Sequence, residues 1–521
     1  LSSRRVLFAA CVAGACALTG ARAASAQSAP VQAALVHHLV STSVPAAQSA
    51  FDEGLTLVYS FNRDEAARRF ERAATLDPSL AMAWWGVALA EGPNLNFEME
   101  PDRRKKANAA LTSAKALEAK ASPEERRYID ALALRYPADG APAGDSEKTY
   151  AAYRVAMAKL HADFPDDPDA ATLYAESVMD VSDFGWTDGK ASADGMLVAT
   201  TLEDVLHRQP LHVGANHYYV HVMDSPTDAT RALPSAERLS ALPAEPAASH
   251  LVHMSGHIYL DLGMFGPLLR DNKTAVDDDR AYANERTGGD PWKLDYFGHN
   301  LDFYTGGALM LDDRAEIERA VGFSKGSTRA HFVLAYVRER RWDDALAWPL
   351  PAGASAFEKL PWMYAHGVAL ASRGDIAGAQ AQRATLEATI AGVGGRVAGY
   401  GSVLSKMLDA RIAHANGDDA TAVGELRSVI ATTAGLPPEV FPPWYYPAGE
   451  WLGTILLGRG DLPGAEAAFR ADLSRTPHNA RVLYGLMQTL SRQGRLPEAR
   501  ALAPEIAANW RGPAEDLRLG F

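Results

Sequence analysis

The sequence predicts an all-α protein, a right-handed superhelical solenoid of repeated antiparallel helix pairs, and three observations carry that expectation. A pattern of small and large residues at fixed offsets recurs from the N-terminal third to the C-terminus. The composition is rich in alanine, the strongest helix former. Long alternating runs of β-branched residues, the mark of strands, are missing.

Taken in order, the first unit is DEGLTLVYSFNRDEAARRFERAATLDP, with Gly54, Ala66, Phe70, Ala73 and Pro78 at the offsets of a tetratricopeptide repeat (TPR). Trp84 opens the next unit in AMAWWGVALAEGP. Small residues at these offsets let two helices approach closely, and the larger ones fill the layer between repeats. The C-terminal half repeats the pattern with Gly367, Gly374 and Ala379, then Gly417, Ala422 and Leu426, then Gly453, Gly460, Ala465, Phe469 and Pro477. A last unit follows with Gly494 and Ala499. The expected organisation is therefore a leader over 1–26, TPR-like repeats over 27–322 and further TPR repeats over 323–521.

Interruptions matter because a solenoid inserts loops where it binds things. Four stand out: 92–102 with Asn94, Asn96, Glu98 and Glu100; 136–148, a plain surface loop; 285–293; and 434–450. The last combines prolines with Phe441, Trp444, Tyr445 and Tyr446, which suit an aromatic lid or packing between repeats.

The chain opens LSSRR, continues with VLFAACVAGACALTG and closes this stretch with ARAASAQ, the layout of a secretory signal cleaved after Ala26. A lipid anchor at Cys16 fits less well, since only Ala and Gly precede it. The expected location is periplasmic or secreted. Both cysteines, Cys11 and Cys16, fall in this segment, so any metal in the mature chain must be held by His, Asp, Glu, Asn or Tyr. Cleavage removes Arg4, Arg5 and Arg22 and no acid, moving the formal charge from −13 to −16. Nucleic acid, which wants a basic stripe, is an unfavoured partner. No second apolar run is long enough to span a bilayer.

The chemical signal lies in the histidines. His217 and His221 form one HxxxH pair, His253 and His257 another, and the pairs are offset by 36 residues. On a helix, i and i+4 share a face, so each pair aims two imidazoles the same way. Seven of the 15 histidines lie between 207 and 257. With Gly256 at TPR position 8 and Tyr259 at position 11, His250, His253 and His257 take positions 2, 5 and 9 of their unit; His217 and His221 take 5 and 9 of the preceding one. Those positions face the concave groove of a TPR protein. His217, His221, His253 and His257 are accordingly the expected ligands of a transition-metal ion, with zinc, copper and iron all compatible. His250 and His299 are expected as further ligands or acid/base groups. Glu176, paired with Asp180 at i, i+4 in LYAESVMDV, is expected as a base or as a carboxylate orienting the imidazoles. Tyr218, Tyr219 and Tyr259 suit hydrogen bonding at the rim, and Met223 and Met254 suit the core. His161, His331, His366, His414 and His478 read as structural, and His37 and His38 as solvated.

At these residues the chain resembles a family of bacterial exported TPR proteins carrying an HYYxH segment followed one repeat later by HLVHMxxHIY. The likeness extends to WWGVALAEGPNLN, LYAESVMD and the His299–Asn300 pair, and covers most of 50–310. It implies His217, His221, His250, His253, His257 and His299 as one site, with Asp302 standing where a second histidine is expected. GxSxG, Walker, GxGxxG and HExxH motifs are missing, which removes serine hydrolase, nucleotide and zincin chemistry. Two reactions fit what remains, hydrolysis by metal-activated water and oxidation at copper or iron. A small molecule or peptide in the groove is the expected ligand. The alternatives are a non-catalytic adaptor that binds a protein partner and a metal carrier.

Overall fold

The computed structural model describes residues 35–137, 145–182, 186–187, 190–225, 227–324, 330–350, 352–434 and 447–520. The expected leader segment with Cys11 and Cys16, most of the 136–148 loop and the Phe441–Tyr446 aromatics lie outside the described residues. Within them the chain is all-α, built from TPR-type helix pairs, apart from a two-residue antiparallel ladder of Trp186–Thr187 with Lys190–Ala191.

The pairs run in chain order. They begin with α1 Pro45–Tyr59 and α2 Arg63–Leu76, α3 Ala81–Glu91 and α4 Pro101–Leu117, α5 Pro123–Leu132 and α6 Asp145–Asp163. Next come α7 Pro168–Met179 and α8 Ala193–Arg208, α9 Val213–Met223 and α10 Ala229–Ser240, α11 Ser249–Asp261 and α12 Phe265–Arg286. Then follow α13 Phe297–Leu311 and α14 Arg314–Ser324, α15 Val333–Arg338 and α16 Trp342–Ala347, α17 Ala356–Ser372 and α18 Ile376–Ala391. The series closes with α19 Gly395–Ala415 and α20 Asp419–Thr433, α21 Ala448–Gly458 and α22 Leu462–Arg475, and α23 Ala480–Arg492 with the broken α24 Leu496–Ala501 and α25 Ala503–Ala508.

One local device makes many of the hairpins. The first helix ends on a left-handed residue, and the next side chain caps the second helix. Gly374, Gly417 and Gly460 have φ of 83°, 79° and 83°, and Asp375, Asp418 and Asp461 then accept a backbone N–H three residues on at 2.9–3.1 Å. Glycine is the residue with no Cβ penalty at such a helix C-terminus. Phe61 occupies the same place between α1 and α2 with φ 61°, followed by Asn62, which caps Glu65 N–H at 3.2 Å.

The offsets read in the sequence are packing positions. A Cβ on Gly54 or Gly86 would lie 2.8 or 2.3 Å from the Phe70 ring, and a Cβ on Gly453 or Gly485 would lie 2.4 Å from Phe469. One phenylalanine thus wedges between two first helices in both places, 16 residues from each glycine.

The chain divides into two compact units, Leu1–Ser255 with Thr274–Asp295 and Gly256–Lys273 with Tyr296–Phe521. In an open solenoid each repeat touches only its neighbours. The first unit adds contacts between distant repeats: α1 packs on α9, where Tyr59 fills the space left by Gly214. Asn62 donates to the Ala247 carbonyl at 2.8 Å, and Arg286 donates to Glu65 at 3.0 Å. The second unit does likewise, with Arg481 on Asp312 at 2.7 Å and Arg511 N–H on the Leu311 carbonyl at 2.7 Å.

Candidate metal centre

Helix α9 starts at His212, whose Nδ1 accepts the Ala215 N–H at 3.1 Å while Nε2 meets Asp169 at 3.1 Å. Since Nδ1 accepts, Nε2 carries the proton and donates to the carboxylate. Asp169 also takes Tyr59 Oη–H at 2.7 Å and His38 Nδ1–H at 2.8 Å. Burial works against its charge, yet the hydrogen bonds from His212 and His38 hold Asp169 far below the usual carboxylate range. Burial likewise opposes protonation of His38, and Asp169 overrides it, lifting the imidazole to about 9. His38 is therefore a half-buried, ion-paired cation rather than the solvated residue expected, while His37 stays exposed and pairs with Asp52 at 2.7 Å.

The same Tyr59 fixes the site histidine. Its backbone carbonyl lies 2.6 Å from His217 Nδ1. A carbonyl only accepts, so Nδ1 is the protonated nitrogen and Nε2 keeps its lone pair. That Nε2 faces His221 Nε2 at 3.1 Å, and His250 from α11 completes a group whose donor atoms lie within 4.8 Å of one another. An ion bound at ~2.0–2.1 Å with a tetrahedral angle sets two ligand nitrogens about 3.3 Å apart. His217 and His250 are buried and His221 half-buried.

Phe61 packs on all three rings, with centroids 4.5 Å from His217, 5.8 Å from His221 and 5.4 Å from His250. A left-handed backbone costs a side-chain-bearing residue about 1–2 kcal/mol. It is kept here by the helix end: Phe61 N–H donates to Val58 and Asn62 N–H to Leu57, each at 3.0 Å.

The histidines are grouped differently from the expected set of His217, His221, His253 and His257. His250, expected as a ligand or acid/base group, stands third beside His217 and His221. His253, on the next turn, is fully buried with its ring 5.4 Å from that of His250. In the second unit, His257 Nε2 lies 3.3 Å from His299 Nε2, and Phe303 packs on both rings at 4.6 and 4.9 Å. Of the histidines placed at groove-facing positions, His217, His250, His253 and His257 are buried. In the first unit the reason is the return of α1 onto α9, which puts Tyr59 and Phe61 over the first pair.

Glu176, expected as a base, is buried and engaged by Arg135 at 2.9 Å, and Asp180 by the same guanidinium at 2.7 Å. Arg135 is wholly buried over the Tyr153 ring, and burial notwithstanding, the two carboxylates hold its pKa well above the usual value. Sequence reasoning missed it; the clue was a single arginine ending the apolar run ALAL at 131–134. Asp302 pairs with His331 at 2.8 Å. His366 stacks on Trp362 at 3.7 Å, and His414 and His478 pair with Asp419 and Glu505 at 2.6 Å each. Met223 and Met254 are core residues, and Tyr218, Tyr219 and Tyr259 are buried.

No family model and no curated sequence matches the chain. Among solved structures, human IFIT1, solved as a dimer with m7Gppp-AAAA, is similar over 90% of this chain and 90% of its own, at 11% identity and a TM-score of 0.34. Yeast Tom70 is similar over 89% of this chain and 92% of its own, at 11% identity and a TM-score of 0.28. The Cut9–Hcn1 assembly of the APC/C is similar over 91% and 89%, at 12% identity and a TM-score of 0.31. No helix among the described residues is long and apolar enough to cross a membrane.

Proposed function

We propose that the protein is an exported TPR-type repeat protein that binds a transition-metal ion through His217, His221 and His250. One observation carries the reading: the Tyr59 carbonyl takes the His217 Nδ1 proton and so points a lone pair on Nε2 at His221 Nε2, 3.1 Å away. Neutral imidazoles suit zinc, copper and iron alike. The His257–His299 pair, with its similar spacing of 3.3 Å, is the place for a second ion. The resemblance of HYYxH and HLVHMxxHIY to bacterial exported TPR proteins agrees with this reading.

Holding an ion is favoured over hydrolysis, because Glu176 is bound by Arg135 and is not poised as a base. The test is elemental analysis of full-length protein prepared without a histidine tag, both aerobically and anaerobically. Stoichiometric metal is expected, with one equivalent lost in His217→Ala/His221→Ala and a second in His257→Ala/His299→Ala. Protein free of metal under both preparations would refute the proposal and leave a binding surface for protein or peptide as the function.

A further inference from the structure

We propose that a recess of the second unit, bounded by α15, α16, α17, α19 and α21, is a binding site for a small carboxylate anion, held by Arg338, Arg340 and Arg411. These three side chains line it together with Trp342, Trp451 and one acid, Glu450. Glu450 is already engaged, accepting from Arg338 Nη1 at 2.6 Å. Three arginines against one acid leave a surplus of two positive charges in the wall. The cavity volume is about 20 Å³, on the measure by which one water needs about 10–15 Å³. That is the size of a carboxylate group rather than of a cofactor.

The arginines are only partly satisfied by the protein itself. Arg340 donates to the carbonyls of Arg518 at 2.9 Å and Gly520 at 3.4 Å, and it makes no ion pair among the described residues. The buried Arg338 leaves its Nε without a hydrogen-bond partner. The electrostatics agree with that geometry. Burial, joined by the nearby charges of Arg481 and Arg338, brings Arg340 down to about 10, and burial brings Arg411 down to about 10 as well. An anion between them relieves both effects, and the guanidinium fork matches the two oxygens of a carboxylate. The backbone points the same way. Arg340 has φ 57° at the turn between α15 and α16, where other hairpins carry Gly374, Gly417 or Gly460. A left-handed residue with a side chain is strained, and such strain collects where the side chain is needed.

Full-length protein is heated in sodium acetate and in sodium chloride at matched ionic strength, and unfolding is followed by circular dichroism. Acetate is expected to raise the midpoint saturably above that in chloride, by about 2–4 °C, and saturation-transfer NMR to show its methyl group in contact with the protein. Arg340→Gly, which supplies the residue this turn accepts elsewhere, and Arg411→Gln are each expected to abolish the acetate increment. Arg373→Gln, at an exposed arginine of the same unit, is expected to keep it. Should either pocket variant lose its helical circular dichroism, the other decides alone. Equal midpoints in acetate and chloride for the unsubstituted protein overturn the proposal. So does an increment that survives in a folded Arg340→Gly, since Arg340 would then serve only to tie down the carbonyls at 518 and 520.

Discussion

Two carboxylates of the first unit, Glu176 and Asp180, share the guanidinium of Arg135, which has no exposed surface. Removing one partner of a buried ion pair leaves the other charge uncompensated, at a cost of about 3–5 kcal/mol. Arg135→Met is expected to lower the urea midpoint accordingly, and Glu176→Gln/Asp180→Asn in the same background to restore most of it. An Arg135→Met protein with an unchanged midpoint would show that the pair does not support the fold. At this scale the histidines were legible in the sequence, because HxxxH on a helix dictates a shared face. Their partners were not. Whether His250 or His253 joins His217 depends on how neighbouring helices pack, and Phe61 stood at a turn whose usual residue, glycine, has no side chain. His38 was misread for a related reason: its partner Asp169 is 131 residues away.

Helix pairs hold together through the wedge of one phenylalanine between two glycines and through the capped left-handed turn. Gly86→Ala places a methyl group 2.3 Å from the Phe70 ring. Overpacking of this kind costs about 1–3 kcal/mol, and thermal unfolding of Gly86→Ala against Gly86→Ala/Phe70→Leu measures it, the double variant recovering part of the loss. Loss of an N-cap such as Asp461 costs about 1 kcal/mol. These elements were the most legible part of the sequence, since both the glycine–phenylalanine spacing and the Gly–Asp turn are local. The interruptions were less so. Asn94, in the 92–102 loop, uses its side chain to accept the N–H groups of Asn96 and Phe97 at 2.9 Å each, closing a turn rather than presenting a ligand.

In the whole first unit, the segment before α1 is tied down by charge. The folded pKa of His38, about 9, stands above its ordinary value of 6.5, so its contribution is fully present below pH 6.5 and is lost as pH rises through 9. The full span is worth at most roughly 3 kcal/mol. Urea unfolding at pH 6, 7.5 and 9.5 is expected to fall across that window, and His38→Gln to flatten it; a slope unchanged by the substitution would assign the effect elsewhere. The return of α1 onto α9 has a kinetic consequence as well. An array that grows by nearest neighbours can nucleate anywhere and fray from its ends. Here the bond from Tyr59 to His217 spans 158 residues, and that from Glu65 to Arg286 spans 221. Such closures must be made after long stretches of chain have been ordered, which favours slow, all-or-none assembly. The histidine group would then come together only in the last step of folding, when the first hairpin docks.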